Sequence, residues 1–249
     1  MPGETGMVER LTYIESVDTS PCYNLALEKY LLLHCREGEC ILYLWQNQPA
    51  VVVGRNQNVR KECRVELLEE EGVCLARRLS GGGAVYQDLG NLNFTFLAGR
   101  EDYDVERQTQ IVLNALKKLG VHAAKSGRND LLAEGKKFSG HAYYERGDFC
   151  CHHGTLMVCV DLDRLSRYLT VSGEKLRLKG IDSVRARVMN LRELVPGLTV
   201  GGLKEKMLEA FEEMYGLKAV QREVRELDPK AIAGERKKLG SQNWVFGKN

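Results

Sequence analysis

The stretch Arg77-Arg78-Leu79-Ser80-Gly81-Gly82-Gly83-Ala84-Val85-Tyr86 points most directly to chemistry. Consecutive glycines let the chain turn sharply and bring its backbone close to a ligand. Successive backbone N–H groups in such a turn form a nest for an anion. The neighbouring arginines add positive charge and planar donor forks suited to phosphate or carboxylate. The loop is neither a Walker loop nor a dinucleotide fingerprint, because no Lys-Ser/Thr follows and the G-x-G-x-x-G spacing is absent. Glycines alone would equally make a flexible connector; the arginines and the bulky Val85-Tyr86 favour a ligand loop.

A second candidate region runs through Gly127-Arg128-Asn129-Asp130-Leu131 and Gly135-Lys136-Lys137-Phe138-Ser139-Gly140. Adjacent side chains on a strand point to opposite faces, so one of Lys136 and Lys137 can face a pocket while the other faces solvent. A pocket lysine neutralises a carboxylate and a phosphate together, which is what attack of the one on the other requires. Spacing alone leaves a solvated hairpin with two lysines as the alternative. Cys150-Cys151-His152-His153 invites a zinc reading, but consecutive strand residues alternate faces and cannot close on one metal. Cys151 and His153 share a face, so that pair can line a pocket. The basic segment 179–191 is, on spacing alone, a surface loop.

The elements that must position these residues follow from pattern. Strands are predicted at 13–16, 41–45, 50–53, 73–76, 93–97, 131–133, 136–143 and 149–160, with Asn47-Gln48-Pro49, Glu134-Gly135 and Arg146-Gly147-Asp148 as turns. Helices are predicted from Pro21 to near His34, capped by Ser20, and at 64–71, 105–119, 162–169 and 203–215. The strands are mostly hairpin-linked rather than separated by regular crossover helices, which favours α+β with an antiparallel or mixed sheet.

Composition narrows the function classes. The 249 residues carry 36 basic and 34 acidic side chains, net +2, which is no nucleic-acid footprint. Hydrophobic residues make up 43%, the level of an ordinary globular chain, and no apolar window is long enough for a membrane span. The polar start carries no signal peptide, so the eight cysteines are expected as thiols in a reducing cytoplasm.

Taken together, several segments resemble the lipoate–protein ligases of the biotin/lipoate ligase superfamily. They are 77–86 with Asp88, Gly90-Asn91 and Asn93-Phe94-Thr95-Phe96; Gly127-Arg128-Asn129-Asp130; Lys137-Phe138-Ser139-Gly140; His152-His153-Gly154-Thr155-Leu156; and Lys179-Gly180-Ile181 through Ser183-Val184-Arg185. They follow family order across most of the chain. The resemblance implies one α+β catalytic domain over 1–249, like that of biotin ligase, with a mixed, mostly antiparallel sheet flanked by helices. It implies activation of lipoate or octanoate with MgATP to an acyl-adenylate. The acyl group then passes to a lysine of an acceptor, a lipoyl domain of a 2-oxoacid dehydrogenase E2 or the glycine cleavage H protein.

Carried over by motif, Lys137 is the catalytic residue. Arg78, Gly83, Ala84, Val85, Tyr86, Asn129, Asp130 and Lys137 itself bind ATP and the adenylate, with Asp130 also meeting magnesium through the nucleotide. Ser80, Gly82, Gly83, Lys137 and His153 bind lipoate. Gln87 departs from a usual histidine and His141 from a usual small residue, which bears on pocket polarity. The stop just after Trp244-Val245-Phe246-Gly247, where such ligases continue into an accessory domain, implies a separate small accessory protein. Two rivals remain. One is an ATP-independent octanoyl or lipoyl transferase, for which the segment 125–130 lacks the expected cysteine nucleophile. The other is a non-catalytic lipoyl-adenylate carrier.

Overall fold

The computed structural model describes residues 8–170 and 187–247. The segment Lys179-Gly180-Ile181 through Ser183-Val184-Arg185 lies outside them. In chain order the strands are β1 (Arg10–Glu15), β2 (Glu39–Trp45), β3 (Ala50–Val53), β4 (Cys74–Arg77), β5 (Val85–Gln87), β6 (Asn91–Gly99), β7 (Ala123–Ser126), β8 (Asp130–Ala133), β9 (Lys136–Arg146), β10 (Phe149–Met157) and β11 (Ala219–Gln221). The α-helices are α1 (Pro21–Leu33), α2 (Val59–Glu62), α3 (Val65–Glu70), α4 (Val105–Lys118), α5 (Leu162–Tyr168), α6 (Val200–Tyr215), α7 (Pro229–Leu239) and α8 (Gln242–Val245).

Eight strands form a mixed sheet in the order β11-β1-β2-β6-β10-β9-β8-β7, parallel at the β11-β1-β2 end and antiparallel elsewhere. Strand alternation sends β2 residues Leu42 and Leu44 to a core beneath α4 and α6, and Ile41, Tyr43 and Trp45 to a core beneath α1. A small sheet, β4-β3-β5, stands apart. Its Val51 and Val53 pack with α2, α3 and α5, while Val52 and Ala76 face the α1 core. The fold is α+β with a mixed, mostly antiparallel sheet flanked by helices, as expected. No helix among the described residues is long and apolar enough to cross a membrane.

Local chemistry explains the main elements. Asp104 caps α4 by accepting from the Arg107 N–H, and Ile111, Val112, Ala115 and Leu116 on its inner face are fully buried. Thr199 caps α6 through the Gly202 N–H, so the helix begins at Val200, before the expected 203, and runs through Gly201-Gly202. Ser20 makes no cap bond; its own N–H is held by Asp18 Oδ1 at 2.7 Å. The strands flanking Asn47-Gln48-Pro49 belong to different sheets, because Asn47 is buried and donates to Gln87 Oε1 at 2.7 Å rather than closing a tight turn. β5, β7 and β11 went unread, since runs this short carry no decisive alternation.

Gly154 on β10 is tightly packed: a Cβ there would lie 2.5 Å from Phe94 Cζ and 3.0 Å from the Gly140 carbonyl oxygen. Phe94 is fully buried and has nowhere to retreat. Gly154→Ala is therefore expected to cost about 1–3 kcal/mol, lowering Tm by about 2–4 °C for each kcal/mol. Thermal unfolding checks this, and an unchanged Tm would contradict the contact.

Candidate active site

The glycine loop joins β4 to β5 and is held from beneath by arginine side chains. Arg78 donates through Nε to Ser80 Oγ at 3.1 Å, through Nη1 to the Val52 carbonyl at 3.1 Å, and through Nη2 to the Gly81 and Gly83 carbonyls at 2.7 and 2.9 Å. Burial lowers its pKa to about 10, which still leaves it charged at neutral pH. Arg77 binds the Gly54, Arg55 and Gln57 carbonyls through Nη1 and the Val245 carbonyl through Nε, tying α8 to the same base. Gly54 must be glycine here, because a Cβ would sit 1.9 Å from the Gly82 carbonyl oxygen.

With its carbonyls bound below and Gly82 at φ +94°, the loop keeps its donors free. Among the described residues, the N–H groups of Gly81, Gly82 and Gly83 meet no protein acceptor. The Ala84 N–H meets Glu62 Oε2 at 3.3 Å.

Across the cavity stands Lys137. The register of β8 on β9 slips between Leu131 and Leu132, leaving Phe138 as an extra residue buried in the core. Such a bulge re-aims side chains. Residues 137 and 140 would face opposite sides of a regular strand; here the Lys137 ammonium lies over Gly140, 3.1 Å from where a Cβ would be. Lys136 is exposed. Lys137 Nζ is 2.7 Å from Asp130 Oδ1, with both groups about two-fifths exposed. The Lys137 backbone is pinned by Arg187 and Met189, whose O and N bond its N and O at 2.7 and 2.9 Å. Asn129 donates to the His141 carbonyl at 2.9 Å, while its Oδ1 is buried with no partner among the described residues.

The floor is a buried polar network. His153 bonds Glu28 Oε1 through Nδ1 at 2.7 Å and Ser80 Oγ through Nε2 at 2.6 Å. Thr95 donates to the same Glu28 oxygen at 2.7 Å, and Trp45 Nε1 donates to Thr95 at 3.2 Å. Glu28, Cys151 and His153 place ligand atoms within 4.8 Å of one another. Both ring nitrogens of His153 are already engaged, and burial drives the Cys151 thiol well above its ordinary pKa, so this trio is bonded core rather than an open metal site. Cys150 and His152 alternate away from it, as strand geometry requires.

These walls enclose a cavity of about 240 Å³. Of the residues expected from sequence, Arg78, Gly82, Gly83, Ala84 and Val85 line it from the loop, and Asn129, Asp130, Lys137 and His153 from the large sheet. Ser80 lies just behind His153. The Tyr86 side chain turns away against Tyr168, leaving only its backbone on the loop side. Sequence reading missed Leu25, Trp45, Val52 and Thr155 as cavity wall, and Glu28 beneath it. These come from distant elements, and the one signal for Glu28 was a carboxylate on the apolar face of α1.

The expected effect of His141 on pocket polarity does not hold for its side chain. Gly140 faces Lys137, so His141 points through the sheet, packs on Phe94 and bonds His152 Nε2 through Nδ1 at 2.9 Å. His152 in turn meets Gln108 Oε1 at 3.0 Å. Burial, with Lys125, Lys137 and His153 nearby, pushes His141 down to about 3, and burial drives His152 well below its usual value.

Residues 20–212 match the family described as the lipoyl protein ligase A/B catalytic domain. Over 248 residues the chain is 42% identical to the lipoate-protein ligase A of Bdellovibrio bacteriovorus, spanning 96% of this chain and 73% of that protein. The crystal structure of P. falciparum LipL1 in complex with lipoate superposes with a TM-score of 0.84 at 30% identity, covering 96% of this chain and 74% of that one. A crystal structure of lipoate-protein ligase A bound with ATP superposes with a TM-score of 0.82 at 25% identity, covering 97% and 99%.

The buried histidines make stability depend on pH. An unfolded histidine titrates near about 6.5, whereas folded His141 stays neutral down to about 3. Its contribution is therefore complete above about 6.5 and is lost as pH falls from there towards 3. Going from pH 7 to pH 5 should remove about 2 kcal/mol through this group. Urea unfolding at the two pH values checks it: His141→Asn is expected to show a smaller difference than the parent chain, and an equal difference would contradict the assignment.

Proposed function

The chain belongs to the lipoyl protein ligase A/B catalytic-domain family, and from that membership and the geometry of its cavity we infer that it joins lipoate to a lysine of an acceptor protein in two half-reactions, the first of which consumes ATP. The observation that carries this reading is the placement of one lysine, Lys137, opposite a loop whose Gly81, Gly82 and Gly83 N–H groups meet no acceptor among the described residues. In the first half-reaction a carboxylate oxygen of lipoate attacks the α-phosphorus of ATP and pyrophosphate leaves. In the second, the amine of the acceptor lysine attacks the acyl carbonyl, loses a proton, and AMP leaves with its phosphate oxygens intact.

The first step demands little acid–base chemistry, because the attacking carboxylate is already ionised. What the first demands is that two anions be held together while charge shifts onto the phosphoryl oxygens. Lys137 serves as the cation between carboxylate and phosphate. The N–H groups of Gly82 and Gly83 bind anionic oxygens, and the 83–86 backbone meets the nucleotide. Arg78 acts mainly through the loop, since most of its donors are spent on loop and β3 carbonyls. Ser80 and His153 border the acyl chain. Asn129 Oδ1 and the Asp130 carboxylate are hard oxygen donors beside Lys137 and fit a magnesium ion carried by the nucleotide, which would supply further charge neutralisation there.

Among the described residues no cysteine lines the cavity, which disfavours the thioester-forming transferase. Acceptors are lipoyl-domain proteins, and we place a 2-oxoacid dehydrogenase E2 and the glycine cleavage H protein among them. Eight free thiols accord with work in a reducing cytoplasm.

Pyrophosphate release from lipoate and MgATP, with and without a lipoyl-domain acceptor, tests this reading. Lys137→Ala is expected to lower the rate by about 10²–10³ with an unchanged Tm, since its side chain is partly exposed. Normal release by the variant would overturn the role of Lys137, and no release by the parent chain would overturn the ligase reading.

A further inference from the structure

Beyond Lys137 and the loop, a chain of buried amides reaches the cavity. It starts where Asn24 Nδ2 donates to the carbonyls of Asp18 and Gln46, both at 2.9 Å. Amide orientation is normally assigned from partners, and carbonyl acceptors fix this one. Asn24 Oδ1 correspondingly accepts from the Tyr43 hydroxyl at 3.1 Å. Asn24 Nδ2 also reaches Asn47 Oδ1 at 3.1 Å, Asn47 Nδ2 donates to Gln87 Oε1 at 2.7 Å, and Gln87 Nε2 donates to Asn93 Oδ1 at 2.8 Å. Asn91 Nδ2 donates to that same oxygen at 3.1 Å.

Gln87 and Asn91 hold the Asn93 amide in this orientation. Asn93 Oδ1 accepts from both of these donors, and its Nδ2 is buried with no acceptor among the described residues, on a residue that is 2% exposed and lines the cavity. A buried donor in that state is unfavourable unless a ligand offers a lone pair.

The position of Asn93 says which part of a ligand meets it. It pairs with Trp45 on one side and Thr155 on the other, and the Gly140 N–H bonds Thr155 Oγ1 at 3.3 Å. Gly140 is the residue beneath the Lys137 ammonium. Asn93 and the Lys137 end thus lie in one cross-sheet row, two strand spacings or about 10 Å apart. That is the reach of an extended octanoyl-length chain whose carbonyl is at Lys137.

We propose that Asn93 is a specificity-determining residue that reads the far end of the acyl chain and favours the dithiolane of lipoate over the alkyl tail of octanoate. The assignment rests on the ligase reading above for the identity of the two acids. Dithiolane sulfurs carry lone pairs and accept weakly, as a thioether does. An alkyl tail covers the Asn93 N–H groups, excludes water and returns nothing, so the donor stays unsatisfied. Gln87 is the link that hands this orientation on.

The test is binding of lipoate and of octanoate, each alone, to the full chain by titration calorimetry, run beside pyrophosphate release. The parent chain is expected to bind lipoate more tightly. In Asn93→Leu, which removes the donor, the lipoate-to-octanoate affinity ratio should fall by about tenfold. Asn93→Asp keeps an oxygen for both incoming amides, turns an acceptor towards the tail, and should lower the ratio as well; it carries the test if the leucine variant does not fold. A ratio unchanged in a folded variant, or a parent chain that prefers octanoate, would overturn the role of Asn93 even with pyrophosphate release intact. A collapsed ratio without pyrophosphate release in the parent would support Asn93 and overturn only the ligase reading.

Discussion

A glycine loop holds one shape only if something binds its carbonyls, and here buried arginines do so. Arg78 clasps the Gly81 and Gly83 carbonyls from inside, and Arg77 fastens the neighbouring 54–57 turn and α8. Because the carbonyls are satisfied on the protein side, the loop N–H groups are left for a ligand. Ser80 then locks the base of the loop to His153, and His153 to Glu28 on α1. Loop, sheet and helix are one bonded unit, which is the preorganisation that adenylation chemistry requires.

The opposite wall follows a different rule. Lys137 faces the cavity together with Gly140 only because β9 carries an extra residue, and Gly140 leaves room for the ammonium to lie flat. Breaking the alternation at one point is a local departure from sheet regularity of the kind found beside active sites. The same wall leaves Asn129 Oδ1 and Asn93 Nδ2 buried and unpaired. Both residues border the cavity, where a ligand's polar atoms can reach them.

How much of this was legible in sequence can be judged residue by residue. The opposed directions of Lys136 and Lys137 were readable, because strand alternation is local. So was the rejection of a four-ligand metal site at 150–153. The role of Arg78 was only half readable: residue type announces a planar fork, but whether the fork points at a ligand or at carbonyls depends on β3 lying alongside. The bulge at Phe138 could not be read, since it exists only in the register between β8 and β9. Trp45, Asn93 and Glu28 escaped notice as site residues because they converge from β2, β6 and α1, and convergence is a property of the folded sheet. His141 drew attention as an unusual residue within a motif, yet its side chain leaves the cavity for the opposite face.

In the reaction proposed above, a carboxylate held by Lys137 attacks the α-phosphorus of a nucleotide cradled by the loop. Lipoate carrying ¹⁸O in its carboxylate tests this most directly, by mass analysis of the products after turnover with MgATP and a lipoyl-domain acceptor. The account predicts one ¹⁸O in AMP, none in pyrophosphate, and the other retained in the amide of the acceptor lysine. Acceptor acylation with unlabelled AMP, or with label in pyrophosphate, would contradict it.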